Sequence, residues 1–202
     1  MAATPIALFA RAPVPGRAKS RLGQAIGAER AAELAQSFVL DTLARCAEVG
    51  GLAPELHVDA EHPFFLSLGV PVVLQVEGDL GARMDHALGR AAMVLGTDAP
   101  TLPARTLQDA LEADTDVVLT PVADGGYVLV RARPFFAGHP IRWSSRHALA
   151  DTLRAAGSRS VRLTRPHYDV DELADLRLLA THLRLDPAQA PRTAALLVRF
   201  GF

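Results

Sequence analysis

Four basic side chains follow the first apolar run of the chain, in the stretch "LFARAPVPGRAKSRL" (residues 8–22): Arg11, Arg17, Lys19 and Arg21. Pro13 and Pro15 stiffen this loop, and Gly16 gives its backbone freedom. Cations on a rigid loop can neutralise the phosphates of a nucleotide, so the stretch predicts a triphosphate cradle. The same charges also fit an ordinary solvated turn, because charge runs are usually exposed.

Acidic side chains follow later apolar runs in the same way. Asp98 comes after "AMVLG", and Asp169 and Asp171 lie in "YDVDE" after "SVRLT". A hard divalent cation is held by one or two carboxylates and by phosphate oxygens of the substrate. The i, i+2 spacing lets Asp169 and Asp171 reach one ion, which Asp98 can approach from a neighbouring strand. These three residues therefore form the predicted site for Mg²⁺ or Mn²⁺.

Each acidic position also has a purely structural interpretation. Asp98 could cap the turn before Ala99-Pro100, and Asp171 could be the N-cap of the helix through "ELADLRLL". Asp124-Gly125-Gly126 lies between two β-like runs, where Asp-Gly is typical of a hairpin turn.

Strand-like and helix-like segments alternate along the chain, and they are the elements that must position these residues. Predicted strands cover "PIALFA", "PELHVDA", "VPVVLQVEG", "AMVLGTD", "DVVLTPV", "GYVLVRA" and "SRSVRLT", and amphipathic helical patterns lie between or after most of them. This order predicts an α/β fold, with a mostly parallel sheet covered by helices on both faces. Ligands bind beyond the carboxyl ends of strands in such sheets, where the acidic and basic residues stand. The connection between the helix "DHALGRA" and the strand at Met93 is unusually short, so either the helix stops near Gly89 or the strand starts late.

Length and composition favour one domain over residues 1–202. The chain has 202 residues, half of them hydrophobic, and a formal net charge of −1. That balance argues against a general binder of nucleic acid or of anionic membranes. The single cysteine, Cys46, lies in a helical pattern and has no internal disulfide partner. With no basic n-region and no apolar run of membrane-spanning length, the sequence predicts a cytoplasmic protein; its oligomeric state stays open.

Several common site motifs do not occur in the sequence. "PGRAKSRL" lacks P-loop spacing because Ala18 stands where the glycine before the lysine belongs. No GxGxxG, HExxH, CxxC or GxSxG is found either. These gaps argue against a P-loop ATPase, a Rossmann dehydrogenase, and the usual zinc, redox and serine-hydrolase sites.

Six motifs in order resemble one bacterial family: "LFARAPVPGRAKSRL", "EGDLGARM", "VLGTDAPTLP", "PVADGGYVLV", "IRWSS" and "YDVDELADL". Over about residues 5–180 the chain is similar to the DUF2064, glycosyltransferase-A-like family, relatives of 2-phospho-lactate guanylyltransferase and of molybdenum-cofactor guanylyltransferases. The resemblance implies a single-domain Rossmann-like fold of the nucleotide-diphospho-sugar transferase type. It places the nucleotide over about residues 1–100 and the acceptor over about residues 101–202.

The resemblance also implies roles for individual residues. Lys19 and Arg21 would serve the triphosphate, and the segment 77–84 would contact the base. The nucleotide-binding residues are then expected to be Arg11, Gly16, Lys19, Arg21, Gly78, Gly81 and Arg83. An acceptor site is expected at Asp124, Gly125, Gly126, Tyr127, Trp143 and Ser144. Lys19 and Asp98 are the expected catalytic residues, and the metal residues of the relatives match Asp98, Asp169 and Asp171.

Three departures from the family pattern bear on function. The short connection before "MVLGTD" resembles a deletion of several residues beside the base site. The glycosyltransferase DxD motif is reduced to the single acid of "GTD", so a second carboxylate would have to come from "DVD". Gly81 stands where a guanylyltransferase often has Asn, so guanine specificity does not carry over.

Three functions fit these features. The leading one is metal-dependent nucleotidyl transfer, in which a small phosphorylated or acidic acceptor attacks the α-phosphorus of a nucleoside triphosphate. Such chemistry needs positioning and charge neutralisation more than a strong base. The alternatives are glycosyl transfer from a nucleotide-sugar and a nucleotide-binding accessory protein without turnover.

Overall fold

The computed structural model describes residues 3–202, which contain seven strands and eight α-helices. The strands are β1 (Thr4–Ala10), β2 (Leu52–Val58), β3 (Val72–Leu74), β4 (Met93–Gly96), β5 (Val117–Pro121), β6 (Tyr127–Arg131) and β7 (Val161–Leu163). The helices are α1 (Ser20–Ile26), α2 (Ala28–Ala47), α3 (Pro63–Leu66), α4 (Leu80–Leu88), α5 (Ala104–Glu112), α6 (Ala148–Ala156), α7 (Leu173–Leu185) and α8 (Pro191–Phe200). None of the helices in this described range is both long and apolar enough to cross a lipid bilayer.

The strands form one sheet in the order β3-β2-β1-β4-β6-β5-β7. All neighbours run parallel except β6, which is antiparallel to both β4 and β5. The predicted α/β fold with a mostly parallel sheet is therefore confirmed. The chain moves outward from β1 through β2 to β3, and then returns to place β4 on the other side of β1. This change of direction opens a crevice beyond the carboxyl ends of β1 and β4, where open α/β sheets bind ligands.

Alternating residues of β1 pack into two hydrophobic clusters, one on each face of the sheet. Ile6 and Leu8 are fully buried in a cluster with residues of α2 and α5, while Ala7 joins a cluster with α4 and α6. Helices thus cover both faces of the sheet, and neither face of the central strand β1 is exposed to water. A third cluster joins α1, α2, α7 and α8 around Phe38 and packs the closing helices beside the sheet.

Some elements differ from the sequence prediction. The loop that was expected to run to Leu22 ends earlier, because α1 begins at Ser20 and buries Leu22. Strand β3 has only three residues, 72–74, where the run 70–78 had been predicted. Helix α4 ends at Leu88 with Gly89 as its C-cap, so residues 89–92 form a connection of ordinary length before β4.

Candidate functional site

A cleft of about 810 Å³ opens beyond the carboxyl ends of β1 and β4. It is lined by the end of β1, the basic loop, Asp98 after β4, the β5–β6 turn, and the segment that follows β7. The predicted site residues that line it are Arg11, Lys19, Arg21, Arg83, Asp98, Asp124, Gly126, Tyr127, Trp143, Ser144, Asp169 and Asp171. The structure therefore brings together most of the residues singled out in the sequence. Four glycines, Gly16, Gly78, Gly81 and Gly125, are not among the residues that line the cleft.

The ammonium group of Lys19 lies among carboxylates. Its Nζ is 2.6 Å from Asp98 Oδ1 and 2.9 Å from Asp171 Oδ1, and it donates to the carbonyl oxygen of Val170 at 2.7 Å. An ammonium carries three hydrogens, and these partners account for all of them. The Lys19 side chain is only 7% exposed. Lys19 thus joins the loops after β4 and β7 in this structure, while its expected contact with phosphate stays a prediction.

The backbone at Lys19 is in the left-handed region, with φ 49° and ψ 46°. A non-glycine residue in this conformation costs on the order of 1–3 kcal/mol, and such residues often mark functional sites. The conformation ends the basic loop and starts α1, and the Lys19 Nζ lies 5.5 Å from the centre of the Phe38 ring. The ion pairs offset the cost of burial: although burial alone would lower the pKa of Lys19, Asp98 and Asp171 raise it above its ordinary value.

The segment after β7 brings its two aspartates to Asp98. Val170 is fully buried, and its N–H donates to the carbonyl oxygen of Asp98 at 2.9 Å. Asp169 and Asp171, which flank the buried Val170 in the sequence, both line the cleft. Asp171 is not the N-cap of α7, because that position belongs to Glu172. The alternative interpretation of Asp171 as a helix cap is therefore not supported by this geometry.

Four carboxylates gather here with incomplete compensation by positive charge. Burial, together with the nearby charges of Asp124, Asp171 and Asp98, raises the pKa of Asp169 to about 6. Asp171 behaves differently: burial would raise its pKa, but Lys19, Arg21 and Arg11 hold it below its ordinary value. The Asp169 end of the cluster therefore carries excess negative charge.

The donor set fits a hard divalent cation in type and in charge. Mg²⁺ and Mn²⁺ prefer carboxylate oxygens, and excess negative charge such as that around Asp169 is what a cation neutralises. As the side chains stand, no three carboxylate, imidazole or thiol groups within residues 3–202 are placed around a common point for an ion. The expected shared site of Asp98, Asp169 and Asp171 stays a prediction, and Lys19 provides positive charge between two of them.

Three arginines provide the remaining positive charge at the mouth of the cleft. Arg11 and Arg17 are exposed and line it. The Arg21 guanidinium is two-thirds exposed and forms a long ion pair with Glu172, Nη1 to Oε1 3.4 Å. Unlike Lys19, these side chains can be reached by an incoming anion.

The end of the cleft next to β2 and β3 carries further polar side chains. Asp59 Oδ1 accepts a hydrogen bond from the N–H of Ala12 at 2.7 Å and so fixes the start of the basic loop. Arg83 donates to Gln75, whose amide in turn donates to the carbonyl oxygen of His57. The Nε of Arg83 is buried and has no hydrogen-bond partner among the described residues. This end therefore offers the carboxylate of Asp59 and the guanidinium of Arg83 to a ligand.

The opposite wall is built from two loops that hold one another. Asp124, Gly125 and Gly126 form the turn between antiparallel β5 and β6, as the hairpin interpretation expected, and Asp124 Oδ1 accepts from the N–H of Gly126. Gly125 has φ +88°, and a Cβ there would lie 2.3 Å from the carbonyl oxygen of Arg146. Only glycine allows this close approach of the two loops.

Two carboxylates of the helices, the buried Asp151 and the half-buried Asp85, fix the loop that carries Trp143 and Ser144. Asp151 on α6 receives both Nε and Nη2 of Arg142, at 2.8 and 2.9 Å. Asp85 on α4 accepts from the backbone N–H groups of three consecutive residues, Phe135, Phe136 and Ala137.

Burial raises the pKa of Tyr127 well above its ordinary value, so its phenol stays protonated and cannot serve as a base.

Six polar residues line the cleft without having been among the expected site residues: Arg17, Ser20, Asp59, Gln75, Thr97 and Ser145. Asp59 and Gln75 directly follow β2 and β3, so the rule that pointed to Asp98 would also have found them. Gly81 was expected to bind nucleotide, yet a Cβ at this position would lie 3.0 Å from Trp143 Cζ2. Its observed role is to let Trp143 pack closely on α4.

Comparison with known proteins agrees with this architecture. A family model described as "Uncharacterized protein conserved in bacteria (DUF2064)" matches residues 42–145. A crystal structure from Desulfovibrio desulfuricans G20, provisionally described as a nucleotide-diphospho-sugar transferase, is 28% identical with a TM-score of 0.84; the match covers 98% of this chain and 95% of that one. No curated protein matches the sequence significantly.

More distant structures share the fold alone. CMP:2-keto-3-deoxy-manno-octonic acid synthetase, solved in complex with CTP, is 14% identical with a TM-score of 0.53, over 92% of this chain and 100% of that one. A hypothetical transferase from Thermus thermophilus is 16% identical with a TM-score of 0.51, over 85% and 99% of the two chains. The fold is thus that of nucleotide-diphospho-sugar transferases.

Proposed function

The chain belongs to the DUF2064 family, and from that premise we propose that it is a transferase that moves a nucleotidyl group, with a divalent metal ion, from a nucleoside triphosphate to a small phosphorylated or acidic acceptor. One observation carries the proposal. Four carboxylates and the exposed guanidinium groups of Arg11, Arg17 and Arg21 face one cleft at the crevice beyond β1 and β4. Carboxylates for a cation and arginines for phosphates are what phosphoryl and nucleotidyl transfer require.

Each part of the cleft has a task in this proposal. Arg11 and Arg17 bind the phosphates, and Asp59 and Arg83 lie where base and ribose extend toward β2 and β3. Asp98, Asp169 and Asp171 would hold Mg²⁺ or Mn²⁺, which would neutralise phosphate charge. The acceptor oxygen forms the new bond to the α-phosphorus as the bond to the leaving pyrophosphate breaks. The acceptor lies against Tyr127, Trp143, Ser144 and the Asp124–Gly126 turn. Because none of the described residues that line the cleft is an activated nucleophile, direct attack by the acceptor oxygen is expected rather than a covalent enzyme intermediate.

Two fold relatives support this assignment to different degrees. The synthetase that was solved with CTP indicates that the fold can accommodate a nucleoside triphosphate. The more similar Desulfovibrio protein is provisionally described as acting with nucleotide sugars, which favours glycosyl transfer as the second candidate. In that reaction the same arginines and carboxylates would stabilise a departing nucleoside diphosphate.

Isotope exchange tests the proposal directly. Nucleotidyl transfer is reversible. In the presence of Mg²⁺ or Mn²⁺ and of the nucleotidylated acceptor, the enzyme should incorporate labelled pyrophosphate into the nucleoside triphosphate. Release of a nucleoside diphosphate from a nucleotide sugar, without such exchange, would instead support glycosyl transfer. Nucleotide binding without either reaction would leave the accessory role, and failure of the wild-type protein to bind any nucleotide with either metal would contradict all three functions.

A variant that removes the negative charge of one predicted metal ligand tests the metal site. Asp98→Asn should abolish metal-dependent nucleotide binding while the protein remains folded, because removing a formal charge weakens an ion site more than its scaffold. Asp114→Asn is the matched control, since Asp114 is exposed and does not line the cleft. Unchanged metal-dependent affinity in Asp98→Asn would show that the site lies elsewhere.

A further inference from the structure

The position of Lys19 raises a question about how a metal ion enters this cleft. Its ammonium binds one oxygen each of Asp98 and Asp171, two of the three carboxylates assigned to the metal. On the basis of the proposed function, we propose that Lys19 is a resident counterion: it holds these carboxylates while the cleft is empty and transfers its ammonium to the nucleotide phosphates when metal and nucleotide arrive together.

Coulomb repulsion is the first argument for this exchange. A divalent cation bound to Asp98 and Asp171 would share both carboxyl groups with the Lys19 ammonium, which lies 2.6 and 2.9 Å from their Oδ1 atoms. Two cations that share the same two carboxyl groups repel strongly, and the more so because the Lys19 side chain is nearly buried. A metal ion without nucleotide must therefore either displace Lys19 or bind weakly beside it.

The second argument is the saturation of Lys19. All three of its hydrogens are satisfied by Asp98, Asp171 and the Val170 carbonyl, so no donor is free for a phosphate. Moving the ammonium away would leave clustered carboxylates without their buried counterion, which is unfavourable unless another cation replaces it. Metal entry and Lys19 departure consequently depend on one another.

The third argument is that a moved Lys19 would have a destination. Arg11 and Arg17 of the basic loop and Arg21 of α1 line the same cleft as Lys19, so an anion bound by them shares the cleft with its ammonium. Gly16, three residues before Lys19, has φ +80° and open space around it, which gives the loop a point of adjustment. The long flexible lysine side chain can then follow the phosphate charge.

Cooperative binding is the consequence. If nucleotide removes the ammonium from Asp98 and Asp171, nucleotide raises the affinity for metal, and metal raises the affinity for nucleotide by the same factor. Lys19 thereby prevents the carboxylates from taking up a divalent ion unproductively before a substrate is bound.

Titration of Mn²⁺ alone, followed by the EPR signal of free Mn²⁺, tests the counterion role without any catalytic readout. Lys19→Met removes the charge but keeps an unbranched side chain over Phe38, and it should bind Mn²⁺ about tenfold or more tightly than the wild type. Lys19→Arg keeps the charge and should remain as weak as the wild type. Equal or weaker Mn²⁺ binding by Lys19→Met would overturn the proposal.

A second titration measures the coupling. An α,β-methylene triphosphate analogue that the wild type binds should strengthen Mn²⁺ binding in the wild type, and this gain should shrink in Lys19→Met. If Lys19→Met does not fold, as judged by circular dichroism, Lys19→Gln replaces it, because Gln can still donate to the Val170 carbonyl. A wild type that binds no nucleotide contradicts the proposed function, whereas equal Mn²⁺ affinity of wild type and variant contradicts the counterion role alone.

Discussion

Gly81 of α4 packs directly against Trp143: a Cβ at Gly81 would lie 3.0 Å from Trp143 Cζ2 and 3.2 Å from Phe136 Cβ. Gly81→Ala should therefore displace the indole from the cleft wall. We expect a net loss of about 0–2.5 kcal/mol, because overpacking costs about 1–3 kcal/mol and the helix gains about 0.5–1 kcal/mol from alanine. Trp143 is the only tryptophan of the chain, so its fluorescence spectrum reports the movement directly.

Gly23→Ala is the matched control for that change. Gly23 also lies in a helix, but a Cβ there would be 3.6 Å from Ala28 Cα, which is ordinary contact. This variant should be neutral or slightly stabilised with an unchanged Trp143 spectrum. An unchanged spectrum in Gly81→Ala as well would show that Trp143 does not depend on the missing methyl group.

Asp85 anchors the loop that precedes Trp143, and its loss should loosen that loop. Its carboxylate accepts from the N–H groups of Phe135, Phe136 and Ala137 at 2.7, 3.0 and 2.7 Å. Asp85→Ala leaves these donors without a partner, so we expect a loss of about 1–3 kcal/mol in unfolding free energy. Amide hydrogen exchange at residues 135–137 should accelerate.

Asp79→Ala separates the effect of the anchor from that of the helix. Asp79 caps the same helix by accepting from the N–H of Ala82 at 2.9 Å, and its loss should cost about 1 kcal/mol. Exchange at residues 135–137 should remain slow in this variant. Equal acceleration in both variants would mean that α4 as a whole, and not Asp85, holds the loop.

Asp169 should make the metal-free protein less stable at neutral pH than at acid pH. Its folded-state pKa is about 6 because of burial and of neighbouring carboxylates, above the ordinary value of 3.8. Between these two values the folded state binds more protons than the unfolded state, so Asp169's contribution to stability falls as the pH rises through this window. Above about pH 6 the full penalty is present.

Asp169→Asn removes this penalty and should stabilise the metal-free protein by about 1–2 kcal/mol at pH 8, after allowance for partial exposure of the group. The gain should disappear near pH 4, where the wild-type carboxyl is protonated in the folded state. Urea unfolding of both proteins at pH 8 and pH 4 measures the difference. A gain that is equal at both pH values would refute the electrostatic cause.

His167 should act in the opposite direction along the pH scale. Burial, helped by the charge of His182, lowers its pKa from 6.5 to about 4, and its Nε2 lies 3.1 Å from the hydroxyl of buried Thr101. Between pH 6.5 and 4 the unfolded state binds more protons, so this contribution to stability is complete above pH 6.5 and is lost as the pH falls to about 4. The slope is at most about 1.4 kcal/mol per pH unit.

His167→Gln keeps a hydrogen-bonding side chain and cannot titrate. The difference in unfolding free energy between wild type and variant should therefore decline from pH 7 to pH 4. Because Asp169 is present in both proteins, its opposite contribution cancels in this difference. A difference that is constant with pH would show that His167 titrates normally.

Long, periodic elements could be predicted from the sequence, whereas the short helix α1 and the bounds of the short strand β3 could not. Helix α2 spans 20 residues, and its apolar positions repeat often enough to define its buried side. Helix α1 has seven residues, which show too little of a helical period to be separated from the loop before it. Strand β3 was predicted over residues 70–78, but it has only three residues. The rim of the sheet could be located because polar residues follow the strands, and that is why Asp98 and Asp169 were found.

The rim where distant loops meet could be predicted, but the individual side-chain contacts between those loops could not, because no local pattern carries them. The charges of Lys19 indicated a phosphate ligand, but its observed partner Asp171 lies 152 positions away in the chain. The close packing of Gly81 on Trp143 and of Gly125 on Arg146 likewise depends on how separate segments meet. In all three cases the residue type was noticed, and the three-dimensional partner decided its role.

The span of the Lys19–Asp171 contact also bears on how the protein is made. On the ribosome, β1, the basic loop and the strands up to β4 emerge long before the segment that contains Asp171, and domains tend to form during synthesis from the N-terminal side. The growing chain therefore holds Lys19 without one of its two acidic partners until about residue 171 has left the exit tunnel. Closing so long a loop is a late and slow event in folding, so a nascent or C-terminally truncated chain would present the basic loop to cellular anions without the acidic half of the site.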